Sequence, residues 1–106
     1  MALAQRRRQL AKRRDPFDPL DGPVSETLDL HGFRAAEVRE QLPPFLAGAR
    51  KRNPGGLVHI ITGKGRSSPG GPVIKTLVRT LLRSGDIAGV KEWNEDPAGG
   101  GFLIRF

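Results

Sequence analysis

Along residues 26–32, "ETLDLHG", apolar and polar positions alternate. Leu28 and Leu30 fall on one side of an extended chain, Asp29 and His31 on the other, which predicts a short strand. From Phe33 the period lengthens. Val38, Leu42, Phe45, Leu46 and Ala49 recur at helical spacing. Pro43 and Pro44 lie inside that helix and are expected to interrupt and kink it, because each removes an amide donor. "KRNPGG" ends it. "LVHIIT" is a nearly continuous apolar, β-branched run, the pattern of a buried parallel strand. "GKGRSSPGG" reads as a loop. "PVIKTLVRTLLRSG" predicts a second helix with Pro72 in its first turn and Gly85 at its C-terminal cap. Its expected buried face is Val73, Leu77 and Leu81, with Val78 and Leu82 beside them. "VKEW" and "GFLIRF" predict two closing strands joined by "NEDPAGG".

The order β-α-β-α-β-β defines an α/β fold. Strand–helix–strand connections imply right-handed crossovers and parallel pairing. The short Gly-rich link between the last two strands implies an antiparallel pair. The expected architecture is a small two-layer sandwich: one mixed sheet and two helices.

Charge divides the chain in two. The net charge is +7, and six of those charges are Arg6, Arg7, Arg8, Lys12, Arg13 and Arg14 within "QRRRQLAKRR". The rest of the chain is close to neutral. "RDPFDPLDGPVS" then reads as an extended, proline-broken linker. Residues 1–24 are therefore expected to form a basic arm and linker, and residues 25–106 the folded domain. Such an arm favours a polyanion, nucleic acid being the commonest; a solvated tail that only aids solubility is the alternative. Leu3 and Leu10 are too few apolar residues for a membrane-surface helix, and no apolar run approaches the ~20 residues that span a bilayer. The absence of cysteine excludes a disulfide framework and a thiolate metal site. With no apolar leader at the N-terminus, the expectation is a cytoplasmic protein, and a monomer.

In an open α/β sheet, ligands bind beyond the carboxyl ends of the parallel strands. Two predicted strands end there in unusual residues, so Asp29, His31, Thr62, Gly63, Lys64 and Gly65 are expected to converge, with Gly32 permitting a tight turn and close backbone approach and Arg66 extending the anion-friendly loop. His31 is a proton carrier near neutral pH. Asp29 would orient it or help hold a cation. The same pattern also arises when an Asp caps the following helix and a His bonds a loop carbonyl. In "TGKG" the glycines free backbone amides to face an anion, and Lys64 adds a point charge. The order of residues does not match a Walker A loop, so an ATPase is not expected. "GGG", residues 99–101, either brings backbone to the same site or is an ordinary hairpin turn. His59 is expected to be a satisfied core histidine, and Trp93 a packing residue. With no Cys/His cluster and no G-x-S-x-G, zinc and serine-hydrolase chemistry have no support.

Taken together and in order, "LDLHGF", "HIITGKG" and "GGGFLIRF" resemble the motifs of the Smr (small MutS-related) domain, over roughly residues 26–106. The resemblance is to a stand-alone member with a basic N-terminal extension. It implies an α/β sandwich similar to the C-terminal domain of bacterial translation initiation factor three. It implies nucleic-acid binding and, as in many members, endonuclease activity on RNA or DNA, with messenger RNA on stalled ribosomes among the substrates. The family's D-x-H pair maps onto Asp29 and His31 and is held to be needed for cleavage. Its H/T-G-K-G loop maps onto Thr62, Gly63, Lys64 and Gly65. Thr62 replaces the histidine that can assist the reaction in other members, which leaves a two-histidine mechanism without its second partner.

The resulting expectation is an endonuclease that prefers RNA to DNA, with the ribosome as a candidate partner. No cofactor is predicted, and a divalent metal stays open. A non-catalytic nucleic-acid- or ribosome-binding module and a structure-specific DNA-nicking enzyme are the alternatives.

Overall fold

The computed structural model describes residues 18–63 and 73–106. Within them the order is β1 (Glu26–Asp29), α1 (Ala35–Arg52), β2 (Leu57–Ile61), α2 (Val73–Ser84), β3 (Glu92–Glu95) and β4 (Gly101–Arg105). The four strands form one mixed sheet in the order β1-β2-β4-β3. β1 and β2 are parallel, whereas β4 runs antiparallel to both β2 and β3. The last strand thus inserts between β2 and β3. The two crossovers step across the sheet in the same direction, so with the same hand both helices cover the same face.

Strand alternation then decides what is buried. Leu28, Val58, Ile60, Phe102, Ile104 and Trp93 point into the helical layer, where they meet Val38, Leu42, Leu46 and Ala49 of α1 and Val78 and Leu82 of α2. Leu30 and Phe106 complete this cluster just beyond the strand ends. Trp93 packs edge-to-face on Phe102, with ring centroids 5.9 Å apart. Among the described residues the opposite face of the sheet carries no helix; it presents Thr27, Asp29, His59, Ile61, Leu103 and Asn94.

Three expectations change at this level. α1 passes through Pro43 and Pro44 without a break. Its stripe Val38, Leu42, Leu46, Ala49 holds both halves to the sheet, and the carbonyls freed by the two prolines belong to Arg39 and Glu40, both solvent-exposed. In α2 the inward line is rotated: Val78 and Leu82 are buried and Val73 is exposed, because the core-facing row runs Ile74, Val78, Leu82 with Leu77 and Leu81 along its side. His59 is not in the core. It sits half-buried on the helix-free face, since β2 is central in the sheet but covered on one side only.

Residues 18–24 lie against the domain. The Arg105 guanidinium donates to the carbonyls of Pro19, Asp21 and Gly55, and Leu20, Val24, Leu57 and Leu103 line one cavity of about 290 Å³. At the same end of the sheet Glu26 accepts two hydrogen bonds from Arg52, at 2.8 and 2.9 Å, and a third from Asn53, which joins β1 to the end of α1.

Candidate functional site

The parallel ladder of β1 and β2 continues one step past the strand, with the Leu30 amide donating to the Ile61 carbonyl at 2.7 Å. The chain must then turn towards α1. It does so in a four-residue turn closed by the Phe33 amide on the Leu30 carbonyl, at 3.0 Å. Gly32, the third residue of that turn, has φ +83°, a conformation an L side chain rarely adopts. His31 sits at the top of this turn and is 75% exposed.

Asp29 holds His31 twice. Its Oδ1 accepts the His31 amide at 3.0 Å, and the same oxygen lies 3.3 Å from His31 Nδ1. The first contact is an Asx-type link that bends the carboxylate towards the histidine. The helix-capping alternative is not what forms: the Arg34 amide at the start of α1 is accepted by Glu37 instead. The Asp29 carboxyl sits below its ordinary value, chiefly because it accepts the His31 amide. Partial desolvation opposes the shift, and the imidazole adds to it by hydrogen bond and charge. With Nδ1 turned to Asp29, Nε2 is the ring nitrogen left for a ligand.

β2 delivers the second motif to the same edge. Gly63 has φ +78°, and a Cβ built on it would lie 3.7 Å from His31 Cβ. The start of the "GKG" loop is therefore beside the histidine. Thr62 plays a different part from its neighbours: it is 7% exposed, and its hydroxyl faces the Gly63 and Gly100 carbonyls at 3.0 and 3.4 Å. Lys64, Gly65 and Arg66 lie outside the described residues, as do Arg6, Arg7, Arg8, Lys12, Arg13 and Arg14.

The "GGG" segment comes to the site, as the first of its two sequence readings has it. The Gly100 carbonyl accepts the amides of both Thr62 and Gly63, at 2.9 and 3.0 Å. Gly101 enters β4 so close to β2 that a Cβ there would stand 2.0 Å from the Ile60 carbonyl oxygen. Behind this segment is a constellation that sequence reading missed. Asp96 Oδ2 pairs with His59 Nε2 at 2.8 Å, and Asp96 Oδ1 accepts the amides of Gly99 and Gly100 at 2.7 and 3.1 Å. Burial of the Asp96 carboxyl would raise its pKa, but His59 and the two amides outweigh it and hold the group below its ordinary value. The available signal was the "DPAGG" run, an Asp three and four residues ahead of two glycines, the spacing of a carboxylate that collects loop amides. From the helical side, Lys75 donates to the Gly99 carbonyl at 2.9 Å and pairs with Glu95, which Arg79 also meets.

Among the described residues no group of three or more His, Asp or Glu side chains gathers where it could hold a metal ion. No described helix is long and apolar enough to cross a membrane. The site offers one exposed imidazole oriented by a carboxylate, with a Gly-rich backbone beside it.

A family model described as Smr domain matches residues 28–104. A search of curated proteins returned no match.

Proposed function

The chain belongs to the Smr domain family, which is linked to nuclease and nucleic-acid-binding activity, and from this we propose that it is an endonuclease that cuts RNA. The observation that carries the reading is the exposed His31 imidazole, tethered by Asp29 and standing beside Gly63 at the carboxyl ends of β1 and β2. An imidazole held in one orientation with a free nitrogen is suited to proton transfer near neutral pH. Asp29 holds the ring in that orientation. Amides from Gly63 onward, with Lys64, would hold the scissile phosphate and stabilise charge that develops on it. The basic arm would add affinity without reading sequence.

RNA is favoured because of what the site lacks among its described residues. One carboxylate and one imidazole form a thin ligand set for two metal ions. They are better equipped to deprotonate a nucleophile that the substrate already carries, and RNA carries the 2′-hydroxyl. In the proposed step the 2′-oxygen bonds to phosphorus, its proton passes to His31, and the bond to the 5′-oxygen breaks as that oxygen takes a proton from solvent water. The products are a 2′,3′-cyclic phosphate and a 5′-hydroxyl.

The test is a cleavage assay on matched RNA and DNA, with and without EDTA. Cleavage of RNA should persist in EDTA and leave a cyclic phosphate. It should stop when the scissile nucleotide is 2′-deoxy, and His31→Ala should abolish it while binding survives. Equal cleavage of the deoxy substrate would return the site to DNA chemistry. Binding with no cleavage of either would leave a nucleic-acid-binding module.

A further inference from the structure

We propose that His59 and Asp96 are positioning residues for this site, acting from the helix-free face of the sheet through the glycine segment 99–100. The proposal rests on the endonuclease reading for its catalytic consequence; its structural link stands apart from it.

The chain of contacts is short and continuous. His59 Nε2 meets Asp96 Oδ2 at 2.8 Å, and the other oxygen of Asp96 gathers the Gly99 and Gly100 amides. That holds the Gly99–Gly100 peptide, the unit immediately before the Gly100 carbonyl. The carbonyl in turn accepts the amides of Thr62 and Gly63, and Gly63 abuts His31. The Asp96 side chain is only 10% exposed, so its charge has few partners besides these donors. A buried carboxylate shared among an imidazole and two amides is costly to leave unsatisfied, and it holds a loop of small residues in one arrangement. Gly99 and Gly100 have no side chains to pack, so their order rests on hydrogen bonds: this carboxylate, the Asp96 carbonyl on the Gly99 amide, Lys75 on the Gly99 carbonyl, and the Thr62 and Gly63 amides.

Engagement separates positioning from chemistry. His59 stands opposite Thr27 in the parallel register, and His31 lies past the turn that begins at Leu30. His59 Nε2 is already taken by Asp96, so it is not the nitrogen that meets a phosphate beside His31. Its effect reaches the site only through the backbone of residues 96–101 and 62–63. Misplacement of a catalytic constellation by about 1 Å can lower rate on the order of 100-fold, so a loose Gly100 carbonyl is expected to matter.

The experiment compares His59→Leu, which removes the donor to Asp96, with His59→Gln, which keeps an amide donor there. Amide hydrogen exchange at Thr62 and Gly63 is read by NMR, and kcat and KM are read on RNA. His59→Leu should speed exchange at both amides and lower kcat by about 10-fold or more, with a much smaller change in KM. His59→Gln should restore most of each. Asp96→Asn, which keeps the shape and loses the charge, should show an intermediate loss. If His59→Leu is folded by circular dichroism yet leaves both amides and kcat unchanged, the proposal is overturned. A fall in thermal stability without faster exchange at those amides also overturns it, since that is what a merely structural histidine gives. If the wild type cleaves nothing, the endonuclease reading fails, and the exchange data still decide whether this pair positions the loop.

Discussion

Replacing Gly101 by alanine is the sharpest probe of how the site is assembled. A Cβ at that position would lie 2.0 Å from the Ile60 carbonyl oxygen, 3.0 Å from its carbon and 3.1 Å from Ile61 Cα. All three atoms are backbone, so no side chain can swing aside. β4 would have to withdraw from β2 by at least about 1 Å to restore ordinary contact. Overpacking of this kind costs about 1–3 kcal/mol. The withdrawal also strains the two amides held by the Gly100 carbonyl, each worth about 1 kcal/mol. The expected total is about 3–5 kcal/mol, a large part of the roughly 5–15 kcal/mol that stabilises a domain. At about 4–8 °C per kcal/mol for a chain of this size, the melting temperature should fall by at least about 12 °C. Gly100→Ala is the matched control. Its added Cβ meets nothing within 4 Å, and its φ is outside the left-handed region. It should stay within about 0.5 kcal/mol of wild type. Thermal unfolding by circular dichroism reads both. A Gly101→Ala protein that melts within a few degrees of wild type would refute the close approach of β4 to β2, and with it the account of how Thr62 and Gly63 are held.

The Asp29 carboxyl, followed by NMR, should titrate below the ordinary aspartate value. Its interaction with His31 therefore stabilises the fold above the ordinary value and is lost as pH falls through the lowered one. His31→Ala should raise that midpoint only part of the way, because the amide of residue 31 remains; a full return would show that the imidazole and not the amide dominates. Lys64→Ala should weaken RNA binding by about 1–3 kcal/mol with little change in melting temperature, if the amine meets a phosphate; unchanged binding and cleavage would remove that loop from the site. Deleting residues 1–14 removes six cations, so the slope of log K against log salt should become shallower by up to about 0.7–0.9 per cation lost. An unchanged slope would show that the arm makes no phosphate contact.

The parts of this molecule that could be read from sequence are those in which one local rule acts alone. Alternation at Leu28 and Leu30 marks β1, and the three- and four-residue spacing of Val38, Leu42, Leu46 and Ala49 marks α1. The convergence of His31 with Gly63 follows from parallel pairing of β1 and β2, which a helical crossover implies. What escaped was set by tertiary choice. Periodicity does not say how many faces of a sheet are covered, so the apolar run "LVHIIT" predicts a strand buried on both faces and a core position for His59. Propensity against proline was overridden in α1 because the buried stripe continues on both sides of Pro43 and Pro44. The Asp96 hub joins residues 37 positions apart, and its partner in the ladder is known only once β4 is seen to lie between β2 and β3.

The same topology limits the acid–base chemistry the described residues can perform. Two histidines and two aspartates form two pairs, which invites a division of roles between a general base and a general acid. The hydrogen bonds argue against it. His59 Nε2 and both Asp96 oxygens are engaged with one another and with the Gly99 and Gly100 amides. Thr62 cannot supply the second group either, because its hydroxyl is buried and turned to two carbonyls. Among the described residues only His31 combines exposure, a free ring nitrogen and a fixed orientation. Thr62 instead places a structural hydroxyl there, one that ties "TG" to Gly100. On the proposed reading, the chemistry rests on the His31 imidazole and on the substrate's own nucleophile. A substrate with a built-in hydroxyl asks the least of such a site.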